Sequence, residues 1–511
     1  MPLASSSTTA AKTRAGRRAP VGAVRSSRYS ARDGAIVGGN QPRFFNRPIY
    51  LANTNAFVLA GDRPVIRFAS GETLHGTLWF GFMHGATSSW LHTWHDITME
   101  YRAGHVCWIA RRSGVHVTLD VVGMENEVGF AVRATIAGGR RGDKLCWSFG
   151  GARDFPGRHL NWDLDPYCDP PQLPTWFDPA LCEKNAARVS AKTFALSSKI
   201  SAPIATVGEC DGSRAVLLRD AAGNSNPAAL FAAQAKGRPV VCGSIDVSRT
   251  ATAHWEFRRV VRSKTKSTAL AAAAAFAAGM ARALALQRVI EIDTPDARLN
   301  AAVSTLPAAI DGSWYPPTFR HGAMLWNVPY LGWRTACGAT ALGWHDRVKA
   351  HAEYYLGHQE KKSVRRSMDA DPKVMLTIPA PGSRFYGRGR VTQDQGIYNM
   401  QSQLFDQLIH AWHWTGDAGL ERRLRPALEL HLEWLHACFD PDDDGLFESV
   451  INVWPTDSVW YAGGGATEET SYAYRAHQAA RLLAERAGDR SAVLRHSRQA
   501  ARIRRAFRQK L

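Results

Sequence analysis

At 511 residues, 45% hydrophobic and 10% aromatic, the chain can bury a large core and should hold two or more domains. Its formal charge of +18 sits mainly at the two ends: residues 1–32 carry seven Lys/Arg and no acid, residues 485–511 carry nine against two, and only about +4 remains between. With no basic-aromatic stripe in the body and no run of eighteen apolar residues, neither a nucleic-acid partner nor a transmembrane helix is expected.

Residues 1–32 are rich in Ser, Thr, Ala and Arg and poor in large apolar groups, too little to offset ordering entropy, so a disordered basic segment is expected. It lacks the apolar stretch of a secretory signal, which leaves a cytoplasmic location as the default unless the start codon is misassigned. Eight cysteines, at 107, 146, 168, 182, 210, 242, 337 and 438, form no CxxC pair and have no His at ligand spacing. Free, mostly buried thiols are expected, with no zinc site and no disulfide framework.

Residues 33–262 change to short apolar runs rich in Val, Ile, Thr, Phe and Trp, broken by Gly, Asp and Pro every eight to twelve residues. Runs such as VHVTLDVVGM and VGFAVRATIA partly alternate apolar with polar residues and predict an antiparallel β-sandwich domain. Over residues 263–293 the alanine content of KTKSTALAAAAAFAAGMARALALQRVI predicts a linker helix. Helical periodicity then recurs near 296–310, 334–356, 397–415, 418–438, 467–486 and 490–509. The plan is multidomain, β then α, with the chemistry expected in the helical part, 294–511.

Three loops of that part carry the candidate residues. Asp311 to Asp346 holds four Trp, two Tyr and two His beside Asp311, Arg320 and Arg334. There Arg334 and His321 can donate to sugar hydroxyls while Trp326 and Trp333 form stacking walls. Trp344 reads as core, and His321 and His345 have a structural reading as hydrogen-bonded residues. In YGRGRVTQDQGIYNMQSQLFDQL, Gly387 and Gly389 are a weak phosphate-cradle signal, without a preceding strand or a GK[ST], and Asp394 reads as a helix cap. Phe439 to Tyr474 places Asp457, Glu468 and Glu469 among Trp454, Trp460 and Tyr461. Glycoside cleavage needs one carboxylic acid for the leaving oxygen and a second carboxylate for water or the sugar, with rings against the apolar sugar face. The competing reading is an acidic helix-joining loop, in which DPDDDG is a solvated turn.

The strings NRPIYLANTNAFVLAGDRP, HGAMLWNVPYLGWR, ALGWHDR and VWPTDSVWYAGGGATEETSYAY together resemble a bacterial group that joins a domain of unknown function, numbered 4450, to a six-hairpin glycosidase domain. The resemblance spans roughly residues 28–511 and implies a β-sandwich packed on an (α/α)6 toroid, with activity on glycosidic bonds. More distant processing glucosidases of family 63 have a similar DGLxE run followed by W-x-S-G-x-D, whose Asp is the general acid. The matching position is Asp457 in NVWPTDS, so the resemblance implies that Asp457 protonates the leaving oxygen. It also implies inversion of configuration, with a base that lies late in those barrels.

A full toroid needs twelve helices, on the order of 350–400 residues, whereas residues 294–511 hold about six. A toroid truncated to about half, without the late base, is therefore expected. The first functional reading is a glycoside hydrolase of oligo- or polysaccharide. Asp457 is its acid, Glu468 or Glu469 a secondary acidic candidate, and Trp326, Trp333, Arg334, His321, Trp454, Trp460, Tyr461 and Asp311 contact the substrate. The second is a truncated, catalytically silent carbohydrate-binding remnant, and the third a polysaccharide lyase on the same toroid. None of them demands a cofactor or a catalytic metal. DPDDDG could hold calcium but lacks the spacing of an EF-hand loop.

Overall fold

A computed structural model describes residues 29–40, 47–49, 57–70, 73–125, 127–154, 179–198, 204–213, 215–261, 271–320, 331, 334–362, 387–391, 399–448 and 465–510. Most of the segment expected to be disordered lies outside these residues, but its last four, Tyr29–Arg32, form a strand paired with Ala35–Gly39. The turn between them is Asp33-Gly34, both left-handed with φ of 48° and 72°. An Asp-Gly pair matches the twist of a two-residue hairpin, a local signal strong enough to extend the sheet into the basic segment.

Among the described residues the strands build two large antiparallel sheets, of ten and nine strands, and a two-stranded one at Trp314–Tyr315 and Thr318–Phe319. The first has His105–Arg112, Val115–Gly123, Gly129–Ala137 and Thr250–Val261 side by side near its middle, and the second centres on Thr73–His84 and Asp143–Gly150. In the strand Val115–Gly123 every second residue turns inward, so Val117, Leu119 and Val121 pair across from Ala110, Trp108 and Val106 and enter the core. Phe80, Leu145, Trp147 and Phe149 meet them from the other sheet. Phe130 and Phe257 stack there with centroids 4.8 Å apart. Each such ring contributes about 1.5–3 kcal/mol by leaving water, so this shared core is what holds the two sheets face to face. Six of the seven described cysteines are buried. Burial pushes the Cys210 and Cys242 thiols up to about 12, which makes them packing groups rather than nucleophiles.

A short helix α1 (Pro227–Ala232) lies within the β part. Helix α2 (Ala272–Gln287) follows and lies flat on the first sheet. Its Ala275, Phe276 and Ala283 cluster with Val122, Met124 and Ala131. Gly279 makes the close approach possible: a Cβ there would stand 2.6 Å from Val122 Cγ2 and 2.7 Å from the Gly123 carbonyl oxygen. Helix α3 (Ala297–Ser313) starts at Asp296, whose carboxylate accepts from the Arg298 amide at 2.9 Å. At its far end Asp311 binds Arg282 of α2 and accepts from Arg347 Nη1 at 2.9 Å.

The helix expected over 334–356 is two, α4 (Thr335–Ala341) and α5 (His345–Gly357), because Gly343 takes a left-handed φ of 77° between them. Arg347 on α5 is the residue that reaches Asp311. Trp344, expected in the core, packs against Ala103, Leu286 and Ala308 where strands and helices meet. The remaining helices are α6 (Asn399–Thr415), α7 (Ala418–Phe439), α8 (Thr467–Arg486) and α9 (Arg490–Lys510). Connections of only two or three residues, 416–417 and 487–489, make each consecutive pair antiparallel. Leu404, Leu408, Leu424, Leu428, Ala479 and Leu483 fill the core they share with α4 and α5. This packing sets the first turn of α8 against the first turns of α6.

Candidate active site

Helix α6 opens with an unusual row. Gln401, Ser402, Gln403 and Gln407 are all buried, interleaved with the apolar Met400, Leu404, Phe405 and Leu408. Buried polar groups need partners, and these find them on neighbouring elements. Gln401 Nε2 donates to the Gly389 carbonyl at 2.9 Å, while its Oε1 accepts from the Val391 amide at 2.9 Å. Gln407 Oε1 accepts from the Ala336 amide and its Nε2 donates to the Leu331 carbonyl, both at 3.3 Å. These two glutamines fix loops around the head of α6.

Ser402 and Gln403 point at α8 instead. Ser402 Oγ donates to Glu469 Oε2 at 2.9 Å, and Gln403 Nε2 donates to Glu468 Oε1 at 3.3 Å. Glu469 is 1% exposed, and its Oε1 is buried with no hydrogen-bond partner among the described residues. Burial pushes its carboxyl up to about 8; the Ser402 hydrogen bond opposes the shift and the Glu468 charge adds to it. Glu468 is partly exposed, and burial raises it too, against the Gln403 hydrogen bond and the charge of Arg334. Neighbouring carboxyls therefore differ in kind: burial raises Glu469 to about 8, while Glu468 is partly exposed.

The rim is cationic and phenolic. Arg334, at the head of α4, donates from Nη2 to the Tyr472 hydroxyl at 2.7 Å. Burial raises the Tyr472 phenol while Arg334 pulls it down. One turn further along α8, Arg475 Nε pairs with Asp406 Oδ1 at 2.8 Å. Carboxyl, guanidinium and phenol thus converge from α4, α6 and α8, a constellation able to donate to and accept from several hydroxyls at once.

Residues 72–278 match the family model described as Domain of unknown function (DUF4450). The expected DUF4450 likeness is thus borne out by a span that covers most of the two sheets and the start of α2 and lies apart from the four strings that suggested it. No curated protein matches the chain. A crystal structure of bacterial glucoamylase complexed with acarbose is similar at a TM-score of 0.50 and 9% identity, over 94% of this chain and 69% of that one. A protein described as a candidate kojibiose phosphorylase from human microbiome gives 0.47 and 9%, over 95% and 71%. The glucoamylase likeness shows the fold: antiparallel sheets followed by a helical part of the six-hairpin kind.

Of the residues singled out in the sequence, the structure brings together Arg334, Glu468 and Glu469. Asp457, Trp454, Trp460, Tyr461, Trp326, Trp333 and His321 lie outside the described residues. Asp311 is placed elsewhere: it is 2% exposed, and its two oxygens hold Arg282 and Arg347 at the junction of α2, α3 and α5. Sequence reasoning passed over Ser402, Gln403, Asp406, Tyr472 and Arg475. The available signal was the run QSQ inside a helix that also carries Met400, Leu404, Phe405, Leu408 and Ile409, since polar residues on a buried stretch of helix must serve a partner.

The acidic turn after α7 is answered from α9. Arg502 pairs with Asp440 and Asp443, and Lys510 Nζ meets Asp444 Oδ2 at 2.6 Å. Carboxylates of Asp440, Asp442 and Asp444 approach within 4.8 Å, as do those of Asp440 and Asp443 with His436. The two cations of α9 offset part of this charge.

Proposed function

We propose that the chain is a glycoside hydrolase acting on oligo- or polysaccharide by carboxylate acid/base chemistry. The observation that carries this reading is the split between Glu469 and Glu468, adjacent carboxyls of which one is buried and pushed up to about 8 and the other is partly open beside Arg334. Such environments separate the carboxyl that can meet a substrate, Glu468, from the one that can only position it, Glu469.

Asp457, in the stretch of sequence just before α8, is assigned the proton for the leaving oxygen. Glu468 supplies the second carboxylate, its rise opposed by Gln403 and Arg334, and activates a water on the far side of the sugar, which gives inversion. Glu469 is sealed from substrate, so its part is positional: it anchors the first turn of α8 through Ser402 and loads Glu468 with a neutral rather than a charged neighbour. Arg334 and Tyr472 bind hydroxyls, and Trp326, Trp333, His321, Trp454, Trp460 and Tyr461 supply the remaining walls.

The test is reducing-end release from a panel of oligosaccharides by the wild-type chain and by Asp457→Asn. Turnover that the substitution abolishes, with calorimetric binding retained, is the expected result. Turnover retained in Asp457→Asn removes the acid from that residue. Binding without any release by the wild-type chain turns the protein into a carbohydrate-binding one, and release accompanied by ultraviolet absorbance of an unsaturated product makes it a lyase.

A further inference from the structure

Three turns meet at one end of the β part, far in sequence from the helices. They are the turn from His84 to Thr87, the turn at Ser113-Gly114, and the turn from Gly138 to Gly142 that leads into the strand Asp143–Gly150. The second and third are locked backbone to backbone. Gly138, at a left-handed φ of 75°, lies so close that a Cβ would stand 2.0 Å from the Gly114 carbonyl oxygen. Between the turns is a pocket of about 240 Å³, floored by Phe82 and Trp94 and rimmed by His84, Arg112 and Arg140.

The polar groups of this pocket are biased toward donation. Ser89 Oγ accepts from Trp94 Nε1 at 2.9 Å and from Arg112 Nη1 at 2.8 Å, so both its lone pairs are engaged and its proton is left to donate. Among the described residues no Asp or Glu lines the pocket. Asp143, which follows the third turn, is satisfied from within: Oδ1 meets His84 Nδ1 at 2.6 Å and Oδ2 accepts from the Arg140 amide at 2.9 Å. Two exposed guanidiniums, a hydroxyl with a proton to donate and an apolar floor remain, in a volume that takes one ring rather than a chain. Guanidinium forks are matched to carboxylates, which they can hold with two parallel hydrogen bonds.

We propose that this pocket binds a single uronic-acid unit, its carboxylate between Arg112 and Arg140 and its hydroxyls on Ser89 and its neighbours, as an anchoring site separate from the helical one. The anionic part of the ligand follows from the pocket itself; the sugar part rests on the glycosidase reading.

Calorimetry of the full chain with glucuronate and galacturonate tests it, with glucose, acetate and inorganic phosphate as comparators. A uronate should bind at least about 10-fold more tightly than glucose or acetate, the worth of one charge-assisted contact. R112A/R140A should weaken it at least about 10-fold with the circular dichroism spectrum unchanged. Should that double variant fail to fold, Ser89→Ala carries the same expectation at smaller size. Uronate binding that survives these changes, no uronate binding at all, or phosphate binding more tightly than uronate would each overturn the proposal. Glu468→Gln should leave uronate binding intact, so loss of the glycosidase reading and loss of this site are separately visible.

Discussion

Ser402 Oγ donates to Glu469 Oε2 at 2.9 Å, joining the first turn of α6 to the first turn of α8 across 67 residues of chain. This one contact is the only partner the described residues give to a carboxyl that is otherwise sealed in the helical core. It makes Glu469 a group whose protonation and whose fold are linked.

The linkage has a sign. Glu469 is raised from 4.5 to about 8 in the folded chain, so the folded state holds its proton more tightly than the unfolded state does. Its stabilisation is complete below about pH 4.5 and is lost as pH rises toward 8. Glu469→Gln keeps the shape and removes the titration. Urea unfolding should show the variant gaining on wild type between pH 5 and pH 8, whereas a constant difference would mean that Glu469 is not held neutral.

Arg334 is the cation that opposes the rise of Glu468. Replacing Arg334 by Ala removes that opposition, so the Glu468 carboxyl should climb further. The acidic limb of the pH dependence of kcat/KM should then move to higher pH, with KM rising as a hydroxyl donor is lost. A limb that stays in place would take Glu468 out of the reaction.

Asp311 was a substrate-contact candidate in the sequence and is a joint in the structure, holding Arg282 and Arg347. Asp311→Asn leaves two guanidiniums facing a neutral amide in a buried place, a change on the order of 3 kcal/mol. The midpoint of urea unfolding should fall while KM for any responsive substrate holds. A raised KM with unchanged stability would restore Asp311 to the substrate site.

Arg502 is the counter-charge of Asp440, whose side chain is fully covered. Arg502→Ala leaves that carboxylate to the Gly445 amide and His436 and should cost on the order of 3 kcal/mol, read as a drop in thermal midpoint that acid partly relieves. Lys510→Ala, at the exposed end of the same helix, should leave the midpoint unmoved.

Much of the fold was legible because its signals are local. Alternation in VHVTLDVVGM, alanine in 272–287 and apolar spacing in 399–439 each specify an element with no help from elsewhere. The split at Gly343 and the Asp33-Gly34 hairpin were equally local and were passed over, since a single glycine in a helical pattern is usually tolerated and a basic segment masks a turn. Site residues divide differently. Glu468 and Glu469 stood out by type, but Ser402 and Gln403 take their meaning from a helix 65 or more residues away. Asp311 shows the converse: a carboxylate in an aromatic loop looks like a ligand group until two arginines from distant helices claim it.

The bare Gly279 ridge on α2 has a wider effect than letting one helix lie close to a sheet. Through it the backbone of α2 rests on Val122 and Gly123, while the far end of the same helix holds the Ala103 carbonyl through Gln287 and reaches Asp311 through Arg282. A segment that would otherwise be a tether is thus a shared wall, and neither half can melt without uncovering the other's apolar face. Heating should therefore open sheets and helices in one cooperative event rather than two. Substitutions anywhere along that wall would be felt as losses by the whole chain.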